Sequence, residues 1–297
     1  MTLRMTLALL LIAPAAMTYP WQQVPHRWIL GIAVVVVAVL FARWRGEFHT
    51  TLIARRWAVW RRNHGKGEQA GAERVAVALR LAPGSADTVA LAPLAGYLDR
   101  YGIRCASVRV ITRHNAEDTD TWISLILDAS ANLPALQARS ADLPLAATAQ
   151  VVARRLAEHL TEHGLRASLD PEPATPLGTD VQEKWTAVHT GDGVISAYAL
   201  DIDADLQDRV SAARGAECWS VIEFTGTPAH PVVSAACAVR GDGPVDGAHP
   251  QPGRQRPLLD AMNPVAVGTL DLPAGPVPAD WTWSVRSGAA LTQSNMN

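Results

Sequence analysis

The sequence predicts an α/β (α+β) cytoplasmic domain whose first half is ferredoxin-like, preceded by a two-helix transmembrane hairpin. Three observations predict it. Two apolar runs lie close together near the start, at residues 5–19 and 28–44. A cluster of arginine and tryptophan follows the second run directly. Beyond it, strand-like and helix-like periods succeed one another in the order βαββαβ.

Charge supports this division. Residues 1–66 hold nine Lys/Arg and one Glu, while the remainder holds 17 Lys/Arg and 27 Asp/Glu. A basic, apolar front and an acidic back point to a membrane-proximal start and a water-exposed remainder. The three cysteines, Cys105, Cys218 and Cys237, are widely spaced and make neither a disulfide framework nor a CxxC metal site.

The two runs make the hairpin over residues 1–44. Each is at the short end for a membrane helix, which needs about 17–25 residues. Trp21, Trp28 and Trp44 stand where an aromatic belt lies, and Arg43 can snorkel to the headgroups. Pro20 to Arg27 is the short connection, and it contains two prolines. That loop carries little positive charge, whereas Arg43, Arg45, Arg55, Arg56, Arg61, Arg62 and Lys66 follow the second run. The positive-inside rule therefore places the bulk, and with Arg4 the N-terminus, in the cytoplasm. This makes a multi-pass protein of the plasma (inner) membrane with both termini cytoplasmic. A cleaved leader ending near Ala13-Pro14-Ala15-Ala16 is the alternative for the first run.

Residues 45–66 form a basic juxtamembrane segment. As a helix from about Thr50 it places Ile53, Trp57 and Trp60 on one stripe. Arg55, Arg61 and Arg62 fall mostly away from that stripe, and Arg56 is off-pattern. Three roles fit: a topology signal with contact to anionic lipid, a collar that docks on protein, or a nucleic-acid patch. No nucleic-acid module follows, so nucleic acid is set aside.

Residues 64–72 are a Gly-rich linker. The first α/β half, 73–169, reads as a strand at Glu73–Leu81, a helix at Thr88–Tyr101 despite Pro93, and strands at Ile103–Thr112 and Thr121–Asp128. A long helix at Asp142–His163 and a short strand at Leu165–Leu169 complete it. Asp142 is the expected cap of the long helix and Gly164 its terminator. A Pro-rich linker precedes the second half, 180–286. There Trp185–Thr190 and Val194–Leu200 flank the hairpin signal Gly191-Asp192-Gly193. Ala204–Ala213 reads as helical, Cys218–Phe224 and Val232–Val239 as strands, Leu258–Met262 as a short helix and Trp281–Arg286 as a strand. The tail, 287–297, is polar and expected to be disordered.

Two motifs bear on chemistry. His159-Leu-Thr-Glu-His163 matches the H-x-x-E-H pattern of inverted zinc peptidases, with both imidazoles on one helical face. The same residues sit on or beside the apolar stripe Leu145, Ala149, Val152, Leu156, Leu160, where they cover the core edge. Asp201-Ile-Asp203-Ala-Asp205 resembles a metal-holding carboxylate pair, but Asp203 as a helix cap and Asp205 beside the dipole account for it without a metal. No P-loop, GxSxG, GxGxxG or HRD-type motif occurs. The reading is of a non-enzyme with no cofactor and no metal. The alternative is a membrane-tethered, divalent-metal-dependent transferase using Asp201 and Asp203.

His26-Arg27-Trp28-Ile29-Leu30-Gly31, the Val-rich run behind it, Trp44-Arg45-Gly46 and Arg61-Arg62-Asn63 carry a family likeness. Here the sequence resembles EccE, a membrane component of the ESX, or type VII, secretion system, most of all the EccE of the third ESX system. The resemblance implies a non-catalytic structural subunit of an inner-membrane complex that supports protein export. It implies EccB, EccC and EccD as partners, with EccC supplying the ATPase motor. Arg55, Arg56, Trp57, Trp60, Arg61 and Arg62 are then the candidates for docking to partner or lipid. Trp21, Trp28, Arg43 and Trp44 are the candidate interface anchors.

Overall fold

A computed structural model of the chain describes residues 43–44, 47–64, 73–82, 88–115, 118–203, 205–206, 209–210, 216–241, 247–277 and 282–284. The chain divides into two compact units at Gly65/Lys66. In the first, strands β1 (Arg43–Trp44) and β2 (Glu47–Phe48) pair antiparallel, and helix α1 (His49–His64) follows.

The second unit is organised by one long antiparallel sheet. Its strands are β3 (Arg74–Leu81), β5 (Asp99–Arg100), β6 (Ile103–Asn115), β7 (Thr119–Asp128), β8 (Ala167–Leu169), β9 (Gln182–Glu183), β10 (Val188–Thr190), β11 (Gly193–Leu200), β12 (Glu217–Thr227), β13 (His230–Arg240), β14 (Ala248–Pro250) and β15 (Gly275–Pro276). The main path runs β8-β3-β7-β6-β12-β13-β11-β10-β9, with β5 beside β6, β14 beside β11 and β15 beside β13. A separate pair joins β4 (Thr88–Ala90) to β16 (Thr282–Ser284).

The central strands are buried on both faces, so they read as nearly continuous apolar runs rather than strict alternations. One face, with Val108, Val110, Ile123, Leu125, Ile222 and Cys237, lies in the same core as Leu136 of α3 (Leu133–Arg139) and Ala149, Val152, Leu156 and Leu160 of α4 (Leu145–Glu162). The other face, with Ile111, Trp122, Trp219, Val221 and Ala236, is covered by Leu258, Leu259 and Met262 at α5 (Gln255–Ala261). Trp122 and Trp219 stack there, with centroids 5.9 Å apart and planes 9° from parallel.

A charge ladder crosses the same sheet. Arg80 bonds Asp120, Arg113 gives a 2.5 Å bond to Glu217, and Arg240 reaches the other Glu217 oxygen at 2.8 Å. It links β3, β7, β6, β12 and β13 through side chains as well as backbone.

These findings correct the fold class predicted from sequence. The unit is sheet-rich and antiparallel. β6 and β12 pair over eight residues, from Glu217↔Asn115 to Phe224↔Val108, and so run both expected halves into one sheet. The helix expected over Thr88–Tyr101 does not form. Thr88–Ala90 pairs with β16 instead, and α2 (Leu91–Ala95) lasts five residues. Pro93 falls in its first turn, where a missing N–H is harmless. Gly96 then leads into a 3-10 turn that buries Tyr97 and Leu98. The expected transmembrane hairpin is not seen among the described residues. Among the described residues no helix is long and apolar enough to cross a membrane. Arg43 and Trp44, the expected end of the second span, are a β-strand. The rest of both spans, and the 287–297 tail, lie outside the described residues.

Candidate functional site

α1 forms because residues 49–64 contain no Gly or Pro and include four arginines and two alanines, which are good helix formers. Arg61, Arg62 and His64 sit in its last turn, where positive charge complements the helix dipole. His64 Nδ1 lies 2.9 Å from the Trp60 carbonyl, and its ring stacks on Trp60 at 5.2 Å. Arg61 lies over the Trp57 ring at 5.4 Å.

Exposure on this helix is inverted. Ile53, Trp57 and Trp60 are 62%, 58% and 57% exposed, whereas Leu52, Arg55, Val59 and Arg62 on the opposite side are half-buried. Arg56 and Arg61 are exposed and flank the tryptophan stripe at helical spacing. The result is an outward apolar stripe edged by guanidinium groups. Trp21 and Trp28 lie outside the described residues. Arg43 and Trp44 are placed in β1, against Phe48 and Glu47.

The H-x-x-E-H residues are engaged locally. His159 Nδ1 lies 3.3 Å from the Tyr97 hydroxyl, His163 Nδ1 bonds the His159 carbonyl at 2.9 Å, and the two imidazoles meet edge-on at 4.8 Å. Burial, helped by Arg100 and His163, holds the His159 imidazole below its ordinary value of 6.5. Among the described residues no three His, Cys, Asp or Glu side chains group as metal ligands.

Asp201 and Asp203 have different partners. Asp201 bonds His249 Nε2 at 2.9 Å. Asp203 accepts from Arg209 at 2.5 Å and from the Asp205 N–H at 3.0 Å, and Arg209 lowers its pKa. Asp201 and His249 border a cavity of about 390 Å³ whose lining includes Leu200, Ile202, Leu272 and Gly275.

Sequence reading missed two arrangements. The first is a stack in which Arg100 lies over both Tyr97 and Tyr101, at 4.7 and 5.3 Å, and Arg155 lies over Tyr101 at 4.9 Å. Its sequence signal is Tyr101-Gly102, a turn dipeptide at the end of the expected helix. The second is the buried pair Arg109–Glu223 at 2.8 Å. Two charges on strands from different halves carry no local signal of their pairing.

Two comparisons decide the family. A family model described as "Putative type VII ESX secretion system translocon, EccE" matches residues 115–200. The chain is also 42% identical to the ESX-3 secretion system protein EccE3 of Mycolicibacterium smegmatis (strain ATCC 700084 / mc(2)155), over 96% of this chain and 95% of that protein. The chain belongs to the EccE family. The ESX-3 secretion system protein EccE3 of Mycobacterium tuberculosis (strain ATCC 25618 / H37Rv) is 40% identical, over 90% of this chain and 86% of its own length. The EccE-matched segment runs from the end of β6 to the end of β11, across the boundary between the two expected halves. It contains His159 and His163 and stops one residue short of Asp201.

Proposed function

We propose that this EccE-family chain is a non-catalytic assembly subunit of a type VII secretion complex at the inner membrane, supporting protein export. It docks through α1. The observation that carries this is the outward Ile53–Trp57–Trp60 stripe flanked by Arg56 and Arg61. Tryptophan is favoured where one side is apolar and the other wet, and each basic residue near anionic lipid contributes on the order of 1 kcal/mol. Arg56 and Arg61, the exposed pair flanking the stripe, together then contribute about 2 kcal/mol at a headgroup surface. The partners that the family resemblance implies are EccB, EccC and EccD.

The alternative is a divalent-metal transferase. It draws support from the cavity beside Asp201 and His249. It is the weaker reading, because Asp203 is committed to Arg209 and Asp201 to His249. The test is recovery of EccB, EccC and EccD with tagged chain in mild detergent. Reversing Arg55, Arg56, Arg61 and Arg62 to Glu, or changing Trp57→Ala with Trp60→Ala, should cut recovery severalfold. Asp201→Ala with Asp203→Ala should leave recovery and secretion intact. The opposite pattern would replace the scaffold with the enzyme.

A further inference from the structure

The surface around Tyr101 is built at a conformational penalty. β5 and β6 pair Asp99↔Arg104 and Arg100↔Ile103, leaving Tyr101 and Gly102 as a two-residue loop. Both have positive φ, 59° and 72°, as a type I′ turn requires. Gly, Asn or Asp adopts the first position readily, whereas a tyrosine there is strained. The residue is nevertheless 53% exposed. Such strain persists where the surroundings hold it, and it concentrates at functional positions.

The surroundings here are cations. Arg100 lies over the rings of both Tyr97 and Tyr101, and Arg155, on the exposed side of α4, lies over the Tyr101 ring at 4.9 Å. Tyr97 is buried and backed by His159. Among the described residues neither Arg100 nor Arg155 has a carboxylate partner, unlike Arg104, which bonds Asp99 at 3.3 Å. A guanidinium stacked on a ring uses its face and keeps its in-plane N–H donors for an anion. Two such groups around one exposed tyrosine combine paired carboxylate recognition with a rigid apolar contact.

The geometry points to Tyr101, Arg100 and Arg155 as a docking site for a short acidic segment of a partner protein. A membrane or nucleic-acid backbone fits poorly. The Asp99 carboxylate stands two residues from Tyr101, and Glu162 acts electrostatically on both Tyr97 and His159. Dense negative charge would meet both, while one or two carboxylates on a peptide need only the two arginines. This surface is independent of α1, so either assignment can fail alone.

The test uses the full chain in mild detergent and a rhodamine-labelled hexaglutamate peptide, read by fluorescence anisotropy. Arg100→Gln with Arg155→Gln should weaken binding at least about tenfold, the loss of two charge-assisted contacts. Tyr101→Gly, which suits the turn and keeps the fold, should weaken it about threefold or more. Arg56→Gln with Arg61→Gln should leave the peptide's affinity unchanged and instead reduce binding to phosphatidylglycerol vesicles. Peptide binding that ignores Arg100 and Arg155, or that follows Arg56 and Arg61, would overturn the proposal. So would inorganic phosphate competing as well as the peptide does.

Discussion

Arg109 and Glu223 bring two charges together with side chains 0% and 1% exposed. The pair organises the chain that covers the sheet. Arg109 donates to the carbonyls of Ala261, Ala266 and Gly268, and Glu223 accepts the Leu270 N–H. One guanidinium thus satisfies a carbonyl at the end of α5 and two in the irregular segment after it. Removing it leaves a buried carboxylate and three carbonyls without their donor, so Arg109→Met should destabilise by about 3–5 kcal/mol. A lowered urea midpoint with unchanged slope would show this, and a shift under about 1 kcal/mol would refute it. Titration acts at the same scale. Burial holds the His114 and His159 imidazoles below their ordinary value of 6.5, so the fold favours their neutral forms. Below that pH the unfolded chain binds more protons than the native one. Stability is therefore full above about 6.5 and falls as the pH drops below it. The melting temperature should decline between about pH 7 and 5.5, and less steeply in His114→Gln.

At the scale of elements, α4 rests on its apolar stripe. Leu156 is fully buried in the core that it shares with strands of one sheet face. Leu156→Ala should cost about 2–5 kcal/mol, while Arg154→Ala on the exposed side should stay within about 0.5 kcal/mol. Chemical denaturation of the two variants checks the contrast. This helix was legible because its stripe repeats over four turns. Its start was not: Asp142 makes no cap, Leu143 takes a positive φ of 49°, and Pro144 occupies the cap position. The Thr88–Tyr101 segment was illegible for a related reason. Its partner β16 lies almost two hundred residues away, and that pairing decides the outcome over local propensity. In the candidate site, the Ile53–Trp57–Trp60 stripe could be read from spacing, but its outward exposure could not. Spacing shows which residues share a face, never what covers that face. The Arg100–Tyr101–Arg155 stack joins a hairpin tip to a helix more than fifty residues on, and no local pattern announces such a contact.

At the scale of the unit from Lys66 onward, the decisive feature is continuity across β6 and β12. Residues 170–178, expected as a linker, join strands of that one sheet. Backbone pairing, the Trp122–Trp219 stack and the Arg113–Glu217 bridge all cross the same seam. Opening either side would strip apolar surface from both tryptophans and leave Glu217, 9% exposed, without one of its arginines. Neither half therefore has an inexpensive way to unfold alone. Native-state hydrogen exchange tests this directly. The amides of Ile123 and Leu125 in β7 and those of Ala236 and Ala238 in β13 should open with the same free energy and the same urea dependence. Their values should coincide within about 1 kcal/mol, because a single cooperative unit exposes both regions only in global unfolding. A gap of several kcal/mol, or a shallow urea slope on one side only, would mean that the sheet is two folding units that merely share hydrogen bonds.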